Sequence, residues 1–209
     1  MATGWDLVAA NRRSFADLIE PLTAEQAATR SLCGEWTVHQ TAAHLLTFTH
    51  YGMPKLFLQM ARAGFDYDKA ADHIAKKLAN DHSLPEIAAM LRDRAGKPNP
   101  SKQFPPEMTL TDVTVHRQDI RRALDLGTDV DPPVVNTVLG FMTTHKQAKA
   151  VVAKGRIDGL RLIAIDTAWS FGDGDAVEGS GEALMMAVAG RDTLDELSGP
   201  GVEVLRGRD

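Results

Sequence analysis

Residues 110–126 read LTDVTVHRQDIRRALDL, and this stretch decides how the first part of the chain folds. Its apolar residues recur every three or four positions, as they do on an amphipathic helix. Asp112, His116 and Asp119 follow one another at i, i+4 and i+7 down the middle of the apolar side. Burying such groups costs several kcal/mol unless they are paired or bound to a cation. The stretch therefore predicts a helix with a metal site or a charged cluster on its buried face.

The opposite side of this helix is predicted to face solvent and carries Thr114, Arg117, Gln118, Arg121 and Asp125. Because Asp112 and His116 lie one turn apart, their side chains point toward one place, the spacing that lets helical pairs bind zinc. An open zinc site needs three protein ligands, so another helix must supply one. We assign this ligand to His44, on a predicted helix that begins at Thr37. The remaining histidines are expected to point away or to lie at the surface: His39, His50, His73, His82 and His145.

The same residues also have a purely structural interpretation. Three capping-box patterns predict helix starts: Thr37 with Gln40, Ser83 with Glu86, and Thr109 with Asp112. If Thr109 begins a helix, Asp112 only satisfies a backbone N–H there. His116 then only forms a hydrogen bond with Asp119 or Asp112 in the core, and His44 is an ordinary packed histidine.

Composition limits the classes of function. The chain has 209 residues, a formal net charge of -5 and a single cysteine, Cys33, which is expected to be a small buried hydrophobe. The acidic balance argues against nucleic-acid binding, which needs a basic face. No apolar run approaches the roughly 20 residues that span a bilayer, so no membrane partner is expected. One unpaired cysteine fits a reducing compartment, and the protein is expected to be cytoplasmic.

The character of the sequence changes near residue 150. Residues 1–150 have helical spacing, with about five helices and a last one that begins at Pro132 and runs to about residue 151. Four prolines within residues 96–108 predict a long connection. The later part predicts strands at 160–168, 176–178 and 202–205, and a helix at 182–189. The expected fold class is α+β, with a helical bundle over 1–150 and a small α+β domain over 151–209 that docks on it.

Short motifs in both parts resemble the mycothiol-dependent maleylpyruvate isomerase family, a branch of the DinB-like metal-binding bundles. In the first part they are EWTV at 35–38, HL at 44–45 and DVTVHRQDI at 112–120. The second part resembles the family's sterol-carrier-like C-terminal domain at Asp166, Trp169, Ser170, Gly172, Gly174, Val177, Gly179, Gly190, Arg191, Leu197, Ser198 and Gly199. The resemblance thus covers nearly the whole chain.

The resemblance implies zinc, or another divalent metal, bound by a histidine on the second helix and a Glu-x-x-x-His pair on a later one. His44 and His116 fall on the histidine positions. Asp112 stands where the family usually has glutamate, which draws its carboxylate back by about 1.5 Å. Asp119 matches the family's trailing aspartate and is expected to orient a histidine. Arg191 is expected either to clamp a substrate carboxylate in catalysis or to be a solvated arginine at a helix end.

The function that the resemblance implies is an isomerase or S-transferase that acts with a small thiol such as mycothiol on a small electrophilic substrate. A thiol coordinated to zinc loses its proton and becomes a nucleophile. The small C-terminal domain is expected to cover the open positions of the ion. The partners are then the substrate and the thiol, and the oligomeric state stays open. Two other hypotheses are a non-catalytic metal- or lipid-binding carrier or sensor of the DinB-like superfamily, and a stress-linked bundle.

Overall fold

The computed structural model describes residues 4–98 and 104–208. The chain divides into two units, Met1–Leu126 and Gly127–Asp209. The predicted α+β class is confirmed, because the first unit is built of helices and the second combines helices with a small sheet. The units divide after residue 126, whereas the change in sequence character indicated residue 150. Part of the predicted proline-rich connection, residues 99–103, lies outside the described residues.

The helices of the first unit are α1 (Gly4–Ile19), α2 (Ala24–Ala28), α3 (Val38–His44), α4 (Thr47–His50), α5 (Met53–Arg62), α6 (Tyr67–Asp81), α7 (Leu84–Asp93) and α8 (Pro106–Ala123). The predicted capping boxes at Thr37 and Ser83 are confirmed at the starts of α3 and α7. Helix α8 packs against α1 and α3, and α1 also packs against α7. Across the two described ranges, no helix combines the length and the apolar character that crossing a bilayer requires.

Helix α8 begins earlier than expected and is buried on more than one side. Its N-cap is Pro105 and a proline occupies its first turn, so the predicted helix start at Thr109 is wrong. Proline suits the first turn because the N–H that it lacks has no partner there. Thr114 and Gln118 were expected on a solvated face, and this was wrong because both are 0% exposed. Helix α8 therefore buries polar side chains as well as apolar ones.

The second unit contains α9 (Pro132–Thr144), β1 (Leu160–Ala164), β2 (Ser170–Phe171), β3 (Asp175–Gly179), α10 (Gly181–Val188) and α11 (Gly201–Arg206). The sheet order is β2-β1-β3, with β1 antiparallel to β2 and parallel to β3. Strand β3 and helix α10 lie where the sequence predicted them, whereas β1 begins at Leu160 as predicted but ends at Ala164 rather than at residue 168. Residues 202–205 were predicted as a strand, which is wrong because they lie in α11. A short apolar run does not distinguish the two by its pattern.

Helix α9 explains why the first unit ends before residue 150. It starts at Pro132 as predicted but ends at Thr144, and a short 3-10 helix follows at Ala148–Ala150. Its buried apolar side packs against α10 within the second unit. The approach is close, because a Cβ added at Gly181 would lie 2.5 Å from Val135 Cγ1. Helical spacing reveals that α9 has an apolar side, but not which unit that side packs against.

Gly172 is required by a close backbone approach next to β2. It has a φ of +80°, and a Cβ there would lie 2.1 Å from the carbonyl oxygen of Leu160. Gly190 has a nearly equal φ of +79°, but a Cβ there would meet nothing within 4 Å.

We expect Gly190→Ala to lower the free energy of unfolding by about 1–3 kcal/mol through backbone strain alone. Gly172→Ala is expected to lower it by clearly more, because it adds a clash with backbone. Urea unfolding followed by circular dichroism compares the two variants, and equal losses would contradict the close approach.

Candidate metal centre

The three predicted ligands lie together in the first unit. His44 is the last residue of α3, and Asp112 and His116 lie one turn apart on α8. Asp112 Oδ1 is 3.5 Å from His44 Nε2 and also 3.5 Å from His116 Nε2. One possible ligand atom from each residue lies within 4.8 Å of the other two. Helix packing thus brings together residues that are far apart in the sequence.

The spacing of these atoms is compatible with a tetrahedral metal ion. Zinc bonds of ~2.1 Å to nitrogen and oxygen place neighbouring ligand atoms ~3.4 Å apart at the corners of a tetrahedron. The two separations from Asp112 Oδ1 are both 3.5 Å. The shorter carboxylate of Asp112 therefore reaches both histidines, although the family resemblance implied glutamate at this position.

Asp112 is the most exposed of the three candidate ligands. The side chains of His44 and His116 are 6% and 11% exposed, whereas that of Asp112 is 30% exposed. Packing around the two imidazoles leaves the oxygen ligand as the accessible one.

Asp119 is placed to orient His116. The Nδ1 atom of His116 donates a hydrogen bond to Asp119 Oδ2 at 2.9 Å, and Asp119 is 0% exposed. With the proton held on Nδ1, the Nε2 atom that faces Asp112 carries a free lone pair in the neutral imidazole. A carboxylate in this position fixes both the ring and the tautomer of a ligating histidine. The side chain of Asp119 is thus located where the sequence analysis expected an orienting group.

The charges of the cluster depend on one another. Burial would lower the pKa of His116, but its hydrogen bonds with Asp119 and Cys33 outweigh this effect. Together with the charge of Asp112, they raise the pKa of His116 to about 10. Burial would raise the pKa of Asp112, but the hydrogen bond and charge of His44 contribute to lowering it. The raised pKa of His116 means that metal binding at this imidazole competes with its protonation.

A loop between α2 and α3 carries Cys33 to the same place. The N–H of Leu32 donates to the carbonyl oxygen of Asp119 at 3.2 Å, which fixes the loop to α8. The Cys33 sulfur lies within 4.8 Å of ligand atoms of His116 and Asp119. The sequence did not predict this placement, because a lone Cys33 is typical of a small buried hydrophobe. No spacing pattern links residues 33 and 116, and only the path of the loop brings them together.

Trp36, in the same loop, packs against both histidines. Its ring centroid is 5.0 Å from that of His44 and 6.2 Å from that of His116, and its Nε1 donates to Asp72 Oδ1 on α6 at 2.9 Å. His44 Nδ1 is buried and has no hydrogen-bond partner among the described residues. Ring packing therefore holds His44 in place, whereas a carboxylate holds His116. From the sequence, Trp36 is identified only as part of the EWTV motif at 35–38.

Arg191 lies in the second unit, three residues after the end of α10. Its Nη1 donates to the carbonyl oxygen of Ala189 at 2.9 Å. This contact matches the helix-end role, one of the two roles that the sequence left open, and the substrate role stays a prediction. The histidines that were not assigned as ligands have other surroundings: His73 and His145 are exposed, and His39 Nε2 forms a hydrogen bond with the carbonyl oxygen of His82.

Comparison with known proteins gives one family and two similar structures. The family described as mycothiol maleylpyruvate isomerase N-terminal domain matches residues 8–99. A crystal structure of the mycothiol-dependent maleylpyruvate isomerase is similar, with 18% sequence identity, a TM-score of 0.48 and coverage of 96% of each chain. A histidine-to-alanine mutant of that enzyme is similar with 18% identity, a TM-score of 0.46 and the same 96% coverage of both chains. No curated protein matches the chain.

Proposed function

We propose that the chain, whose residues 8–99 match the mycothiol maleylpyruvate isomerase N-terminal domain family, is a divalent-metal enzyme that acts with a small thiol. Zinc is the first candidate for the ion and mycothiol for the thiol. The proposed reaction is isomerisation of, or S-transfer to, a small electrophilic substrate. The observation that carries the proposal is the convergence of His44, Asp112 and His116, with both histidines 3.5 Å from the same carboxylate oxygen.

Each residue of the cluster has a definite task in this proposal. His44, Asp112 and His116 bind the ion and leave at least one of its positions to other ligands. An ion held there supplies positive charge, which lets a coordinating thiol lose its proton near neutral pH. Asp119 is a positioning residue, because its hydrogen bond keeps His116 Nδ1 protonated and Nε2 available. The partly exposed side chain of Asp112 marks the side from which thiol and substrate enter.

Two measurements on the purified protein test the proposal. Elemental analysis is expected to find about one divalent ion per chain, the stoichiometry of a single three-ligand site. Turnover of maleylpyruvate is then expected to need both the metal and mycothiol, with chelated protein and thiol-free reactions as controls. Co-purified lipid in a protein that never retains metal would contradict the enzyme and favour the carrier function. Stoichiometric metal without turnover of any thiol-dependent substrate would favour a metal sensor.

Arg191 is proposed to bind a carboxylate group of the substrate. Arg191→Ala is expected to lower kcat/KM by about 10- to 100-fold, the effect of losing a charged hydrogen bond. The metal content should not change, because none of the three ligands is altered. Arg161→Ala, which removes an exposed arginine of β1, is the matched control. If Arg191→Ala lowers only the melting temperature and leaves kcat/KM unchanged, Arg191 is a helix-end residue and the substrate role is wrong.

A further inference from the structure

A second group of possible metal ligands shares one residue with the first. Cys33, His116 and Asp119 each offer an atom within 4.8 Å of the others. His116 and Asp119 are buried, and Cys33 is half-buried. The group combines a thiol, an imidazole and a carboxylate, whereas the first combines two imidazoles and a carboxylate. The two groups therefore differ in chemical softness, because only the group of Cys33, His116 and Asp119 contains sulfur.

We propose that Cys33, His116 and Asp119 form a second metal position that takes soft divalent ions such as Cd²⁺. The inference rests on the proposed function only through His116, which both positions use. Thiolate ligands select soft ions, and imidazole and carboxylate complete a mixed set that such ions accept. The thiolate and the carboxylate together also balance the charge of a divalent ion.

The loop holds the thiol in place without help from an ion. On one side of Cys33, the N–H of Leu32 donates to the Asp119 carbonyl oxygen at 3.2 Å. The N–H of Cys33 itself donates to Ser31 Oγ at 3.2 Å. Ser31 Oγ in turn is hydrogen-bonded to Thr41 Oγ1 on α3 at 2.7 Å. The backbone around Cys33 is thus tied to both helices that carry the first set of ligands, so little ordering is needed when an ion binds.

The two positions are filled alternatively rather than together. His116 Nε2 faces Asp112, whereas its Nδ1 is the nitrogen beside Asp119. An ion between His116 and Asp119 takes the place of the proton that they share at 2.9 Å. Metal on both nitrogens at once requires the imidazolate anion, which forms unfavourably near neutral pH. A soft ion in the second position therefore also removes the hydrogen bond that orients His116 toward the first.

Titration of the metal-free full-length protein with Cd²⁺ tests the proposal. Coordination by a thiolate produces a sulfur-to-cadmium absorption band in the ultraviolet, and Cys33 is the only cysteine that can produce it. In His44→Ala, which lacks a ligand of the first position, we expect the band to persist at about one ion per chain. In the His44→Ala protein, the further substitution Cys33→Ser should abolish the band. The further substitution Asp119→Asn should weaken Cd²⁺ binding at least 10-fold.

Two outcomes overturn the proposal. One is the absence of the band from both the wild-type protein and His44→Ala. The other is a Cd²⁺ affinity that Asp119→Asn does not change, because the ion is then bound without Asp119 and the three-residue position does not exist. If His44→Ala does not fold by circular dichroism, Asp112→Asn provides the same background. Failure of the proposed function gives a different result, namely wild-type protein that binds no zinc and has no thiol-dependent activity.

Discussion

Replacing His116 by alanine is expected to reduce the zinc content of the purified protein from about one ion per chain to nearly none, because two remaining ligands hold a divalent ion poorly. The zinc affinity of His116→Ala should also fall by more than about 10- to 100-fold, the drop that follows removal of a residue that only orients a ligand. Elemental analysis after dialysis, with zinc titration of the metal-free protein, measures both quantities. His73→Ala, which removes an exposed histidine of α6, should keep its zinc.

In the metal-free state, the His116→Ala protein is expected to be less stable than the wild-type protein. Asp119 is 0% exposed and loses the imidazole that donates to it at 2.9 Å. Removing one partner of a buried charged pair costs about 3–5 kcal/mol. His116→Gln separates the two effects, because the glutamine amide is a donor for Asp119 but a poor zinc ligand. Full zinc content in both variants would mean that His116 does not bind the ion.

Asp112→Asn is expected to weaken zinc binding at least 10-fold, since the amide keeps the shape of the carboxylate but not its charge. Asp112 lies six residues after the start of α8 at Pro106, so the variant does not alter the beginning of the helix. A loss of zinc affinity would therefore result from the loss of a ligand and not from a change at the start of the helix. Zinc titration followed by competition with a chelator gives the affinity, and urea unfolding of the metal-free form gives the stability.

Asp125→Asn is the matched control for this variant. Asp125 is exposed just after the end of α8 and has a φ of +53°, a conformation that asparagine also tolerates. The control should bind zinc like the wild-type protein. An Asp112→Asn protein with unchanged zinc affinity would reduce Asp112 to a partner of the two histidines and leave the ion, if any, with a different third ligand.

The convergence of His44, Asp112 and His116 could be predicted because it depends on local periodicity. An i, i+4 pair on one helix points to one place in any helical fold, and only the contact between α3 and α8 had to be added. The family motifs supplied that contact by resemblance. In contrast, the position of Cys33 depends on a loop conformation set by single hydrogen bonds, such as the one from Leu32 to Asp119. A sequence pattern does not encode such bonds.

The errors in the fold also have physical reasons. Amphipathic patterns assume one apolar and one solvated side, but α8 is packed on several sides and buries Thr114 and Gln118 among other polar groups. The pattern at Thr109 is the same as at Thr37, yet the chain is already helical there, because the prolines at the start of α8 fix an earlier beginning. The two units divide after residue 126 and not near residue 150, because α9 has the spacing of a bundle helix but packs on α10.

The position of α8 at the end of the first unit has a consequence for how the protein is made. The ribosome releases His44, Cys33 and Trp36 well before Asp112 and His116, and the family match at 8–99 ends before α8 begins. Contacts between residues so distant in the chain form late and slowly. The nascent chain therefore presents His44 and Cys33 without Asp112 and His116 until α8 emerges. In the proposed metal enzyme, an ion can therefore meet all three ligands only after α8 has been synthesised.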